Sequence, residues 1–461
     1  MNDTDSCVIL IPAHNEELGI ESTLTSLQPE LGINDSILVI ADNCTDNTAE
    51  IVRSFVNKIS QPRQELNQSF SESDQAKQLN SEENRAAQFT NISDSDLTHH
   101  LLRNSPVNPV SSDSLVGKEI LEKNSDWNKI FAQPSNNINV IERNDPTNRG
   151  KGFALHHGLK ALEMKPPEIV VILDADCELR TGSLQALKQA VKRSQKPAQA
   201  IYLLKGSTNP TFKQQLSNFA FLFKNWVRPL GLYQLGVPCL LTGTGMAFPW
   251  QTLRGVNLAS AEIVEDMKLG IDLACQGNPV QLCPEALVQS EVAPTNQSTL
   301  VQRTRWEHGH VQLIFSQVPK VIKAAIQKKS WRLFAFALEL AVPPLSLLLG
   351  LWAMSFVLNL SLLFISPAFS GLPIITGTSA GTSYSWSEHS KNWLILTPLL
   401  TNVLCLMLLV LSLAIAWYRY ARKTLPLSIL LLAPLYVFWK LPIYGKLLLA
   451  REKKWIRTER V

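Results

Sequence analysis

Four short aliphatic runs in the first 180 residues each pass into polar residues at the same relative place. CVILIPA (7–13) leads to Asn15, Glu16 and Glu17, SILVIAD (36–42) ends on Asp42 with Asp46 beyond it, NVIERND (139–145) contains Arg143 and Asn144, and EIVVILDAD (168–176) ends on Asp174 and Asp176. Continuous apolar runs separated by helical patterns indicate a parallel sheet covered on both faces. The expected helices are Glu17–Leu27, Asp46–Val56, Gly152–Glu163 and Ser183–Arg193. The fold class is therefore α/β, a doubly wound, mostly parallel sheet. In such sheets ligands bind beyond the carboxyl ends of the strands, where these polar residues gather. One of them could be a helix cap; four strands ending alike are hard to explain by capping.

The chain of 461 residues is 45% hydrophobic, but the apolar residues are unevenly spread. Residues 1–330 mix charges with short aliphatic runs, whereas 333–365 and 393–417 are nearly uncharged and rich in Leu. About 20 apolar residues cross a bilayer core, so Trp393–Trp417 qualifies. In the earlier run Val342-Pro343-Pro344 divides an interfacial lead-in from a span over Pro344–Ile365. Lys320, Lys323, Lys328, Lys329 and Arg332 precede the first span, and Arg419, Arg422 and Lys423 follow the second, which puts both flanks in the cytoplasm. A third apolar stretch, 425–450, contains Lys440 and Lys446 and runs into the basic tail REKKWIRTER; a membrane-hugging or re-entrant segment is favoured over a third span. The expectation is a multi-pass protein of the cell (inner) membrane with a cytoplasmic head. The polar start of the chain lacks a signal-peptide pattern. Seven cysteines without a CxxC pair suit reduced thiols. A net charge of +4, concentrated near the membrane stretches, points to the lipid bilayer and not to nucleic acid.

The expected organisation is a head in two parts, 1–58 and 138–330, an insertion over 59–137, and membrane helices over 331–461. In residues 60–137, 30 of 78 are Ser, Asn or Gln, too polar to add to a core; a short helix over Leu115–Lys123 is the one element expected there. Residues 201–250 mix Phe212, Phe219, Phe221, Phe223, Trp226 and Tyr233 with Lys213, Lys224 and Arg228. That pattern fits an amphipathic helix beside the membrane tail and an aromatic core helix equally well.

Two aspartates at i and i+2 leaving a strand can turn toward one ligand, and hard oxygen donors so placed suit Mg²⁺ or Mn²⁺ on a diphosphate. Such a pair also occurs in solvated turns; the other acidic strand ends favour the metal. His308 and His310 have no partner in the sequence that would make them ligands. GTGMAF (243–248) does not form a dinucleotide fingerprint.

PAHNEE, ADNCTDNT, NRGKGFAL and VILDAD, in that order, resemble the donor-site motifs of family 2 glycosyltransferases with the GT-A fold. IVEDMKLG (263–270) resembles that family's E-D motif, and QRTRW (302–306) the Q-x-x-R-W signature of membrane polysaccharide synthases of the cellulose, hyaluronan and N-acetylglucosamine polymer type. The resemblance implies a nucleotide-sugar site at Pro12, Ala13, Asn15, Glu16, Asp42, Lys151 and Asp174, with Asp42 on the base. It implies Asp176 as ligand of Mg²⁺ or Mn²⁺, Asp266 as catalytic base, and Thr244, Glu265, Gln302, Arg303, Arg305 and Trp306 on the acceptor and diphosphate side. The expected activity is inverting transfer from a nucleoside-diphosphate sugar, UDP-linked, to a glycan or lipid-linked acceptor in envelope glycan synthesis, with room for an export or assembly partner. The rivals are a non-processive lipid glycosyltransferase and a non-catalytic nucleotide-sugar-binding subunit. A transporter fits less well, because the spans carry no ionisable residue.

Overall fold

The computed structural model describes residues 6–59, 137–206, 209–259, 264–291, 296–365 and 386–449, with the backbone alone at 296–303, 363–365, 386–395, 441–443 and 445–449. The expected insertion, apart from its end residues, its Leu115–Lys123 helix and the basic tail lie outside the described residues.

Eight strands form one sheet: β1 (Cys7–Ala13), β2 (Asp35–Asp42), β3 (Ile138–Arg143), β4 (Ile169–Ile172), β5 (Cys177–Leu179), β6 (Ala198–Leu204), β7 (Met246–Pro249) and β8 (Gln281–Ser290). Their order is β3-β2-β1-β4-β7-β6-β8-β5. The first four strands are parallel to one another, with Cys7 level with Asp35 on one side and Ile169 on the other. Beyond β4 the sheet is mixed: β7 runs antiparallel to β4 and β6, and β5 antiparallel to β8. The apolar run 168–176 is not strand to its end. Pairing stops at Ile172, and Asp174-Ala175-Asp176 forms the turn into β5.

Alternate residues of the buried strands feed two cores. On one face Ile9, Ile11, Ile37, Val39 and Val171 pack against Ile20 and Leu24 of the Ile20–Leu27 helix and against Leu184 and Leu187 of the Ser183–Ser194 helix. On the other, Leu10, Leu38, Ile40 and Ile172 meet Leu155, Leu159 and Leu162 of the Lys151–Leu162 helix. A sheet buried on both faces is what the unbroken aliphatic runs require. All seven cysteines are free thiols.

The head continues into the long Asn296–Gln327 helix, which packs on Trp331–Ala341 through Leu313, Val321, Phe336 and Leu340. Val342, Pro343 and Pro344 end that helix before Leu345–Ile365 begins, since a proline lacks the N–H that the next turn needs. Two windows, Leu345–Leu362 and Leu396–Ala421, are long and apolar enough to cross a membrane by length and composition. Helix Phe212–Leu222 and the π-turn Phe223–Val227 lie against the apolar helices: Phe219 packs with Ala416, Ala421 and Leu425, and the Trp226 and Tyr420 rings meet at a tilt of 57° with centroids 4.8 Å apart. The last described helix, Ala433–Leu449, is tied to the head by the Lys440–Glu307 ion pair and by Tyr444, whose hydroxyl donates to Glu307 at 2.7 Å.

Candidate active site

The loops after β1 and β2 are joined to each other. The Asn15 side chain accepts from the Thr45 N–H at 2.8 Å and donates to the Thr45 hydroxyl at 2.9 Å, the Glu16 N–H donates to Thr48 Oγ1 at 2.8 Å, and the Glu17 N–H to Asp46 at 3.1 Å. Asn15 takes a left-handed backbone (φ 55°), which asparagine tolerates better than most residues. Its amide is spent on this clasp, and it does not line the cavity between the loops, where a nucleotide-sugar contact was expected.

That cavity, about 350 Å³, is walled by Pro12, Ala13, His14, Glu16, Asp42, Asn43, Arg149, Lys151, Asp174, Asp176 and Arg305. Asp42 is buried and held by Arg143, whose Nη1 donates to it at 2.6 Å while Nη2 reaches Asp145 at 2.9 Å. Asn43 completes the corner by accepting from the Asp145 N–H at 2.8 Å. The sequence shows Arg143 as a polar strand end; that it clamps Asp42 needs β2 and β3 to be neighbours. His14 and Arg149 border the same cavity; they lie inside PAHNEE and NRGKGFAL but are not among the residues expected at the site.

Asp174, Asp176 and Cys177 bring ligand atoms within 4.8 Å of one another. The two carboxylates suit a hard divalent cation. Cys177 does not, because burial pushes its thiol well above the ordinary range, so it stays protonated. The residues thus fit Mg²⁺ or Mn²⁺ held by carboxylates. Lys151 is ion-paired to Asp174 and donates to the Gly243 carbonyl at 2.7 Å. Burial alone would pull the Lys151 ammonium down, but Asp174, Glu265 and Asp266 around it reverse this and raise it.

GTG (243–245) shapes this floor. Gly243 has φ +89°, and a Cβ there would sit 3.2 Å from Asp266 Oδ2 and 3.5 Å from Lys151 Nζ; at Gly245, φ +64°, it would meet Val288 at 2.6 Å. Thr244 between them is fully buried and accepts from the Asp174 N–H at 3.1 Å. It supports Asp174 from beneath and is not among the residues lining either cavity.

Glu265 and Asp266 open the Glu265–Gln276 helix. They line a second cavity of about 210 Å³ with Lys151, Asp174, Asp176, Lys224, Arg228, Arg305, Trp306 and His310. Burial first, then Asp266, pushes the Glu265 carboxyl up to about 7; burial likewise raises Asp266, against the pull of Lys151. The two acids could have served only the helix dipole; the pocket they face gives them a chemical surrounding as well.

Arg305 borders both cavities and Trp306 the second, where its ring lies 5.9 Å from that of Phe221. Gln302 and Arg303 are on the same helix, with side chains outside the described residues. Lys224, Arg228 and His310 complete the second cavity; the first two lie in the aromatic and basic segment, one helical turn apart. Arg228 is paired with Glu339 at 2.6 Å. Burial, with Lys224 and Arg228 nearby, lowers His310 to about 3, so its ring is neutral.

Two family descriptions match in succession: "Glycosyl transferase family 2" over residues 8–72 and "Glycosyltransferase like family 2" over 120–309. No curated protein matches the sequence. Among solved structures the chain is similar to the mannosyltransferase PcManGT from Pyrobaculum calidifontis with GDP-Man and Mn²⁺ (13% identity, covering 97% of this chain and 88% of that one, TM-score 0.44). It is also similar to S. aureus TarS 1–349 with UDP-GlcNAc (12%, 62% and 58%, 0.33). A third is glucosyl-3-phosphoglycerate synthase from Mycobacterium tuberculosis with Mn²⁺, UDP and phosphoglyceric acid (17%, 66% and 77%, 0.33). These likenesses are too distant to carry an argument about the site. The two family matches, with the mixed α/β sheet and the acidic turn after β4, identify the chain as a family 2 glycosyltransferase of GT-A fold.

Proposed function

We propose that this protein is an inverting transferase that moves a sugar from a nucleoside-diphosphate donor, UDP-linked, to a glycan or lipid-linked acceptor at the cytoplasmic face of the cell membrane, in envelope glycan synthesis. The observation that carries this reading is the meeting of two cavities at Lys151, Asp174, Asp176 and Arg305, with Asp266 on the wall of only one of them. A donor in the first cavity lays its diphosphate across the shared residues, and an acceptor in the second comes to Asp266.

Asp42, fixed by Arg143, faces the donor base. Asp174 and Asp176 would hold Mg²⁺ or Mn²⁺, which supplies positive charge to the diphosphate as it leaves. Lys151 and Arg305 add fixed positive charge at the same place. Asp266 takes the proton of the acceptor hydroxyl as its oxygen bonds to the anomeric carbon and the bond from that carbon to the diphosphate breaks. A single displacement of this kind inverts the centre. Burial, by raising Asp266, makes it a stronger base than an exposed aspartate. Trp306 and Phe221 offer aromatic surface to a sugar.

The membrane reading rests on the two apolar helices and their basic flanks. Ala433–Leu449 supports a surface-lying segment rather than a third span. Tyr444 bonds Ser346 at 2.5 Å, at the very start of the Leu345–Ile365 helix, and Lys440 pairs with Glu307 of the head. The apolar stretch Leu427–Lys440 reaches about 21 Å, short of a hydrocarbon core of about 30 Å.

The test is nucleotide release by purified, detergent-solubilised protein across a panel of donor sugars, with and without Mn²⁺ or Mg²⁺. Metal-dependent release from a UDP-sugar is expected. Binding of UDP without turnover of any donor would contradict catalysis and favour a binding subunit.

A further inference from the structure

A third cavity, of about 340 Å³, opens from the acceptor side of the site and runs between the apolar helices. It shares Phe221, Lys224, Arg228, Trp306 and His310 with the cavity that holds Asp266. Away from that junction its walls are mostly apolar, among them Leu345 and Leu349 of one apolar helix and Leu409 and Leu413 of the other, with Ser346, Tyr436 and the Glu307–Lys440 pair as polar lining. The size falls in the range of small-molecule sites, roughly 300–1,000 Å³.

Resting on the transferase reading above, we infer that the acceptor is a membrane lipid with a hydroxyl in its head group, its apolar chain lying in this cavity and its hydroxyl delivered past His310 to Asp266.

Three observations lead there. The leucines offer no hydrogen-bond partner, and Ser346, Glu307 and Lys440 are already bonded, Ser346 and Glu307 to Tyr444 and Lys440 to Glu307, so a glycan chain leaving by this route would lose hydroxyl contacts with water at a cost of several kcal/mol each, whereas a hydrocarbon chain loses nothing. Both leucine-bearing helices have outer surfaces that are almost wholly uncovered by the rest of the chain, only 6% of each apolar window being buried, so a lipid reaches the cavity from the phase around them. At the junction His310 is 2% exposed, and its Nε2 has no hydrogen-bond partner among the described residues. A neutral imidazole nitrogen without its proton accepts a hydrogen bond, which a hydroxyl supplies and an ionised phosphate does not. An ionised phosphate would also need no base, yet the pocket presents Asp266. Lys224, level with the same junction, can donate to the head-group oxygens.

The experiment follows label from a turned-over donor sugar into three probes offered separately in mixed micelles: diacylglycerol, a polyprenyl monophosphate and a water-soluble oligosaccharide. Label in a diacylglycerol product is expected. Label only in the oligosaccharide, or only in the polyprenyl phosphate, would overturn the inference, as would nucleotide release that labels none of them. Absence of release from every donor would instead contradict the transferase reading. Leu413→Trp, which fills the cavity, should raise the KM for diacylglycerol by about tenfold or more, with UDP binding by the same preparation reporting that the head is folded. An unchanged KM in a variant that binds UDP would overturn the placement of the chain.

Discussion

Lys151 bridges Asp174 and the Gly243 carbonyl, so one ammonium fixes both the acidic turn after β4 and the glycine loop beneath Asp266. Removing it frees both sides of the site at once. Lys151→Met is expected to lower kcat/KM by about 10²-fold or more, the scale for losing one fixed charge on a leaving group. Steady-state kinetics against donor concentration checks this, and near-native turnover would mean that Lys151 ties the turn to the loop without acting on the leaving group.

A side chain at Gly243 crowds Asp266. Gly243→Ala puts a methyl within 3.2 Å of Asp266 Oδ2 and holds alanine at φ +89°, a backbone strain of about 1–3 kcal/mol. Activity should fall further than stability, because the displaced group is the proposed base. Comparing kcat with the unfolding midpoint of the same sample decides it.

Glu265 makes stability depend on pH. Its carboxyl moves from an ordinary 4.5 to about 7 through burial and then the neighbouring Asp266. A carboxyl that binds its proton more tightly when folded contributes most below its unfolded value and loses that contribution as pH rises through 7. Glu265→Gln should therefore raise the Tm at about pH 8 and change it little at about pH 4. A gain of equal size at both pH values would contradict the assignment of the proton to this site.

Lys188 and Asp35 form a structural counterpart. They are 4% and 2% exposed, with Nζ 2.8 and 3.0 Å from the two carboxylate oxygens, and lie away from both cavities. Lys188→Met strands a buried carboxylate and should cost about 3–5 kcal/mol. Turnover per folded molecule should not change, as thermal unfolding beside activity would show.

Much of this was legible in the sequence where local pattern suffices. β1 matches its aliphatic run residue for residue, and Asp42, Asp174, Asp176 and Asp266 reach the two joined cavities. The antiparallel half of the sheet was not legible, because β5 has three residues and β7 four, too few for periodicity to register. Asn15 reads as a ligand contact but bonds Thr45, a partner 30 positions on that only the fold supplies. Thr244 reads as pocket wall but lies beneath Asp174 for the same reason. Lys224, Arg228 and His310 stand in the sequence without a role, because their common pocket needs the 223–228 segment to meet the Asn296–Gln327 helix.

In the proposed reaction Asp266 removes the acceptor's proton beside a donor held by Asp174 and Asp176. The most direct measurement of this is turnover by Asp266→Asn at saturating donor and metal, with nucleotide binding followed on the same protein. Binding close to that of the unaltered protein is expected, with transfer reduced by about 10²- to 10⁴-fold. Turnover at the unaltered rate would contradict it.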